Sequence, residues 1–146
     1  MTSTPALAAL QNALAAEQAA SYGYGVVGAH FAPGSAAQTA AGNDWVAHLR
    51  AGDQLAAMIS ARGGQPAAAP VGYELPFPVT SAATAQQLAA TMEDRVAQAY
   101  LSLVALTDAG LRTFGAQQLR TAALRAQSWR GSTEAFPGLP ASSLRR

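Results

Sequence analysis

The sequence predicts an all-α fold of four long helices, and three observations carry that prediction. About a quarter of the 146 residues are Ala, the best helix former, while strand-favouring residues are few and scattered. The eight prolines stand at 5, 33, 66, 70, 76, 78, 137 and 140 and leave three proline-free blocks. A proline inside a helix costs about 3 kcal/mol, so these clusters mark boundaries. Within the blocks, apolar residues recur along the narrow seam that a helix turns toward its partners. A chain of this length forms one domain with a single core.

The first helix is expected at about 5–30. Thr4 is a competent N-cap, Pro5 suits the first turn, and the seam runs Leu7, Leu10, Leu14, Glu17, Ser21, Tyr24, Gly28. The second, at about 35–62, starts on Ser35 and stops at Gly63-Gly64. Its seam reads Gln38, Ala41, Trp45, His48, Gly52, Leu55, Ile59, with Leu49 beside it, and it is read as unbroken through Asn43-Asp44. Residues 63–80 are too proline-rich for a helix and too long for a tight turn, so they are expected to cross the length of the bundle, with Leu75, Phe77 and Val79 packed on its surface. The third helix, about 81–106, is capped by Ser81 or Thr80 and carries Leu88, Met92, Val96, Leu103 and Leu106, with Glu93 and Tyr100 on the adjacent stripe. A turn over Thr107 to Gly110 leads into the fourth, about 111–130, expected to bury Leu111, Gly115, Leu119, Ala122, Ala126 and Trp129. Residues 131–146 read as a C-terminal arm, with Phe136 and Leu139 tucked onto the bundle. Two helix pairs with short turns and one long crossover make the ferritin-like connectivity. The helical glycines at 23, 25, 28, 42 and 52 are expected to permit close helix contact.

Composition excludes several function classes. A formal charge of +1 gives no field suited to nucleic acid or an anionic membrane, and Arg112, Arg120, Arg125 and Arg130 scatter around their helix without forming a stripe. Cysteine is absent, so there is neither disulfide nor thiolate ligand. No apolar run approaches the roughly 18 residues of a membrane span, and the N-terminus lacks the pattern of a secretory signal, so a cytoplasmic location is expected.

The chemistry-bearing residues centre on Glu17, an acid on an apolar seam. A ferritin-like di-metal centre takes a Glu from each of two helices and Glu-x-x-His from each of the other two. Here the candidates are Glu17, His48 and Glu93; Trp45 stands where a Glu should precede His48, and the fourth helix has no His, Asp or Glu. Those three could at most hold one divalent ion. The favoured reading is instead a buried polar layer of Glu17, His48, Arg95, Tyr24 and Tyr100, in which paired groups offset the cost of burying a carboxylate. Gly23, Gly25 and Gly28 spell G-x-G-x-x-G, but a helix precedes them where the dinucleotide fingerprint needs a strand. Ser21, His48 and Asp53 make no triad without geometry, and His30 reads as a helix C-terminal contact.

The segments LAAEQAASYGYGVVGAH, AHLRAGDQL, YELPFPVT, TMEDRVAQAYLSLV and FPGLP, in this order and spacing, resemble a family of small alanine-rich, ferritin-like bacterial domains of unknown function. The resemblance covers nearly the whole chain and implies a ferritin-like four-helix bundle. Its matching polar positions are Glu17, His48, Asp53, Glu93, Asp94, Arg95 and Tyr100. The family often reads Glu-His where this chain has Glu17-Gln18, which removes a second histidine from the site. The expectation is therefore a non-catalytic structural or interaction module with no cofactor, no nucleic-acid or membrane partner, and scope for a homodimer. The alternatives are a degenerate metal binder or oxidase using Glu17, His48 and Glu93, and a binder of a small apolar ligand in the bundle core.

Overall fold

A computed structural model of the chain describes residues 4–130. They form four helices and no strand: α1 Pro5–Gly28, α2 Ala36–Ala61, α3 Ala82–Val104 and α4 Ala109–Arg130. The arm expected at 131–146, with Phe136 and Leu139, lies outside the described residues.

Each helix starts on a side chain that satisfies an otherwise orphaned N–H. Thr4 Oγ1 accepts from the Leu7 N–H at 3.2 Å, and Ser35 Oγ from Gln38 at 3.1 Å. Ser81, not Thr80, caps α3: its hydroxyl accepts from Thr84 N–H, and the Thr84 hydroxyl accepts from Ser81 N–H. Asp108 Oδ1 accepts from Leu111 N–H at 2.9 Å, which explains why α4 begins at Ala109, two residues before the expected start. Gly63, at φ +76°, turns the chain after α2, and the Gly64 N–H returns to the Ile59 carbonyl.

The antiparallel course of the helices follows from what touches what. Leu10 and Leu14 of α1 share one apolar cluster with Leu55 and Ile59 of α2, Tyr100 and Leu103 of α3, and Leu111 and Phe114 of α4. Tyr24, Val27 and Phe31 share the other with Ala41, Ala85, Leu88 and Met92. Residues from the start of α1 thus meet the ends of α2 and α3, and residues from its end meet their starts. The segment after α2 lies along α1. Gln11 Nε2 donates to the Gln65 carbonyl at 2.6 Å, Gln18 Nε2 donates to the Ala67 carbonyl at 2.9 Å, and Tyr73 lies against Tyr22. Leu75, Phe77 and Val79 then join the second cluster.

Several core positions differ from the sequence reading. Trp45 and Leu49 are 44% and 41% exposed, because the inward stripe of α2 runs through Ala41, Asp44, His48, Leu55 and Ile59, and Trp45 lies one residue, or about 100°, away from Asp44. Phe114, absent from the expected set, is buried with its ring edge-on to Tyr100 at 5.9 Å, while Leu119 packs on the same cluster only partly buried. Leu106 falls beyond the end of α3. The glycines also divide. A Cβ at Gly25 or Gly42 would meet nothing within 4 Å, so close packing within the chain does not require them. A Cβ at Gly115 would lie 2.7 Å from Leu103 Cβ and 3.3 Å from the Tyr100 carbonyl, both of which are fixed. Gly115→Ala should therefore lower stability by about 1–3 kcal/mol despite its better helix propensity, whereas Gly25→Ala should raise it by about 0.5–1 kcal/mol. Urea unfolding of the two variants beside the native chain reads both signs.

Candidate functional site

Between the two apolar clusters lie three buried ionisable side chains, Glu17, His48 and Glu93, each no more than 1% exposed. Helices α1, α2 and α3 contribute one apiece. The His48 ring bridges the other two: its Nδ1–H donates to Glu17 Oε2, and its Nε2–H donates to Glu93 Oε1 at 2.8 Å. With both nitrogens donating to carboxylates, the ring is an imidazolium.

The two phenols complete a reciprocal pattern. Glu17 and Tyr24 stand seven residues apart on α1, and Glu93 and Tyr100 seven apart on α3. The helices run antiparallel, so each tyrosine reaches the other helix's glutamate: Tyr100 Oη donates to Glu17 Oε1 at 2.6 Å and Tyr24 Oη to Glu93 Oε1 at 2.7 Å. The Tyr24 ring also stacks on the His48 imidazole, with centroids 5.2 Å apart. Of the four carboxylate oxygens, Glu93 Oε2 is buried without a hydrogen-bond partner.

Asp44 and two side chains of α4 close the layer on that side. Asp44, one turn before His48, accepts from Trp129 Nε1–H at 2.9 Å and pairs with Arg125 Nε at 3.4 Å, while Tyr24 Oη lies 3.3 Å from the same carboxylate. Phe31 stacks on Trp129 at 5.7 Å. The fourth helix thus brings an indole and a guanidinium to the layer.

Arg95 was expected in the layer and is not there. It is exposed, because two residues along a helix is about 200° of rotation and turns it away from the side that Glu93 faces. Its neighbour Asp94 pairs instead with Arg130. Asp53 is exposed, and the Ser21 hydroxyl donates to the Glu17 carbonyl at 2.9 Å, so Ser21, His48 and Asp53 form no triad. Gly23, Gly25 and Gly28 lie within α1, where no helix N-terminus can receive a pyrophosphate. His30 Nδ1–H donates to the Val26 carbonyl at 2.8 Å, as a helix-end contact. Asp44, Trp129 and Arg125 were not foreseen as a set. Their one legible signal was Asp44 standing four residues before His48 on the same helix face.

The electrostatics follow from this geometry. Burial alone would pull the His48 pKa down, but the hydrogen bonds and charges of Glu17 and Glu93 outweigh it and push the imidazole up to about 9. Burial, followed by the charge of the adjacent glutamate, raises both Tyr24 and Tyr100 far above the ordinary phenol range, so both remain hydrogen-bond donors.

A family model described as a domain of unknown function, DUF4439, matches residues 9–141. Among solved structures, the chain is similar to the crystal structure of a conserved hypothetical protein, rv2844, from Mycobacterium tuberculosis. The identity is 36% and the TM-score 0.83, and the match covers 90% of this chain and 98% of that one. No curated protein matches the chain.

Because the folded-state pKa of His48 lies above the ordinary 6.5, its contribution to stability is complete below about pH 6.5 and is lost as pH rises through about 9. The loss should amount to about 3 kcal/mol. Urea midpoints measured between about pH 6 and about pH 10 should fall accordingly, and a flat profile across that range is inconsistent with a buried imidazolium. His48→Leu at neutral pH, which leaves two carboxylates face to face, should cost about 3–5 kcal/mol.

Proposed function

The chain belongs to the DUF4439 family, a domain of unknown function, and from that footing we propose that it is a ferritin-like bundle serving as a non-catalytic, metal-free structural or interaction module. The single observation that carries this reading is the His48 ring donating to Glu17 and Glu93 at once. In a carboxylate-bridged metal centre, cations lie between the acids. Here an imidazolium supplies the positive charge from within the chain.

The donor set does not fit the group that a ferritin-like fold would hold. A ligating histidine presents a free nitrogen lone pair, whereas both His48 nitrogens are already engaged by carboxylates. Residues 109–130 contain no His, Asp or Glu, so α4 has no ligand to offer. Among the described residues, no three such side chains are grouped to hold a metal ion. A single ion on Glu17, His48 and Glu93 would first have to displace the imidazole that joins them.

The ferritin-like part of the reading is supported by the order of contacts: antiparallel α1 and α2, a long segment lying along α1, then antiparallel α3 and α4. The interaction part is supported by the exposed apolar residues Trp45, Val46 and Leu49 on α2, the face on which a second copy or another protein would meet the bundle. No described helix is long and apolar enough to cross a membrane. In this reading the module acts in the cytoplasm and takes no nucleic acid.

Elemental analysis of protein purified without chelator tests the proposal. Iron, manganese and zinc should all be far below one atom per chain. Stoichiometric metal that disappears in Glu17→Gln would overturn it and establish a metalloprotein on Glu17, His48 and Glu93.

A further inference from the structure

The polar layer does not close electrically. Asp44 is balanced by Arg125, but Glu17 and Glu93 share one imidazolium. With both glutamates ionised, the trio holds one surplus negative charge away from bulk water, where an uncompensated charge is strongly disfavoured.

A cavity of about 260 Å³ opens between α1 and α2 beside this trio. Glu17 and His48, both 1% exposed, belong to its wall, and the exposed residues Asp53 and Leu49 reach it from the surface. The chain after α2 closes one side with Pro66 and Ala67, and Ala67 is held there by Gln18 and Gln11. The space exists because small residues border it. Gly52 lies in mid-helix, where glycine is unfavourable, yet a Cβ there would meet only Leu14 Cδ1 at 4.0 Å. Close packing does not require that glycine; its bareness keeps volume in the cavity. Each oxygen of Glu17 accepts one hydrogen bond, from His48 or from Tyr100, and each retains a second lone pair.

We propose that this cavity is a binding site for a small organic ammonium ion, whose N–H groups donate to Glu17 and whose hydrocarbon body lies against Leu14, Gly52 and the Ala67 segment. The bound charge would neutralise the trio, and Asp53 at the rim would draw the cation in. A cavity of roughly 150 Å³ accommodates benzene, so this one admits a body of about ten non-hydrogen atoms. A metal ion suits the place poorly, since the lining is mostly apolar and Glu17 and His48 already hold each other. The inference goes beyond the scaffold reading, which the metal content and the alkaline transition test separately.

Calorimetric titration of the full chain at neutral pH with hexylammonium chloride tests it, with 1-hexanol as the neutral analogue of equal length. Hexylammonium should bind saturably at one site, about tenfold or more tighter than 1-hexanol. Gly52→Leu, which fills the cavity without altering a polar group, should weaken ammonium binding by about tenfold or more, and Asp53→Asn by about threefold. Equal affinity for the alcohol, or no saturable binding at millimolar hexylammonium, overturns the proposal. So does full ammonium affinity in a folded Gly52→Leu chain. Should that variant lose its helical circular dichroism, the ammonium–alcohol comparison on the native chain and the surface variant Asp53→Asn decide the matter.

Discussion

One imidazole ring holding two carboxylates is the constraint on which the arrangement of the helices depends. Glu17, His48 and Glu93 come from three helices, and each is buried almost completely. Ionised groups persist in such a place only when their partners are fixed within hydrogen-bonding distance. That requirement sets how α1, α2 and α3 are rotated and how far each has slid along the others. The phenols of Tyr24 and Tyr100 add two further bonds, and α4 reaches the layer through Trp129 and Arg125 on Asp44. The apolar clusters on either side supply the general drive to bury surface, which has no direction of its own. The polar layer supplies direction.

Small residues let this layer form. Ala, Gly and Ser occupy much of the α1 face, so the large side chains there, Leu10, Leu14, Glu17 and Tyr24, project into space that their neighbours leave free. Gly115 does the same for α4, bringing its backbone against that of Tyr100 and Val104. Gly23 lies under the Met92 thioether, where a Cβ would fall on the sulfur. The proline-bearing segment cannot build a hydrogen-bonded ladder of its own, and it borrows partners from Gln11 and Gln18.

How much of this could be read from the residues alone differs from place to place. Helix starts were legible at Thr4 and Ser35, because a hydroxyl before an apolar-periodic run has a defined backbone partner. Glu17 was legible as an anomaly, an acid on a seam of leucines. Arg95 shows where the reasoning failed: it is close to Glu93 in sequence but points the other way, and adjacency along a helix is not adjacency in space. Trp45 failed similarly, through assigning the α2 stripe one residue away from Asp44. The roles of Asp44, Trp129 and Arg125 depend on long side chains reaching from α4 across to α2, a long-range contact that no local pattern encodes. Family membership adds no chemistry, since the matching domain has no assigned function.

The crossed pairing of Tyr24 with Glu93 and Tyr100 with Glu17 relates α1 to α3. At the level of residue pairs it is a two-fold motif, since turning α1 onto α3 exchanges the two acid–phenol pairs, but the imidazole takes its own oxygen on Glu17 and shares Oε1 of Glu93 with the phenol. The His48 ring lies between the two acids, and that place has room for one occupant. The two helical hairpins therefore have to be unequal. One carries the imidazole, and the other, which runs from α3 into α4, is free at the corresponding place to carry indole and guanidinium instead.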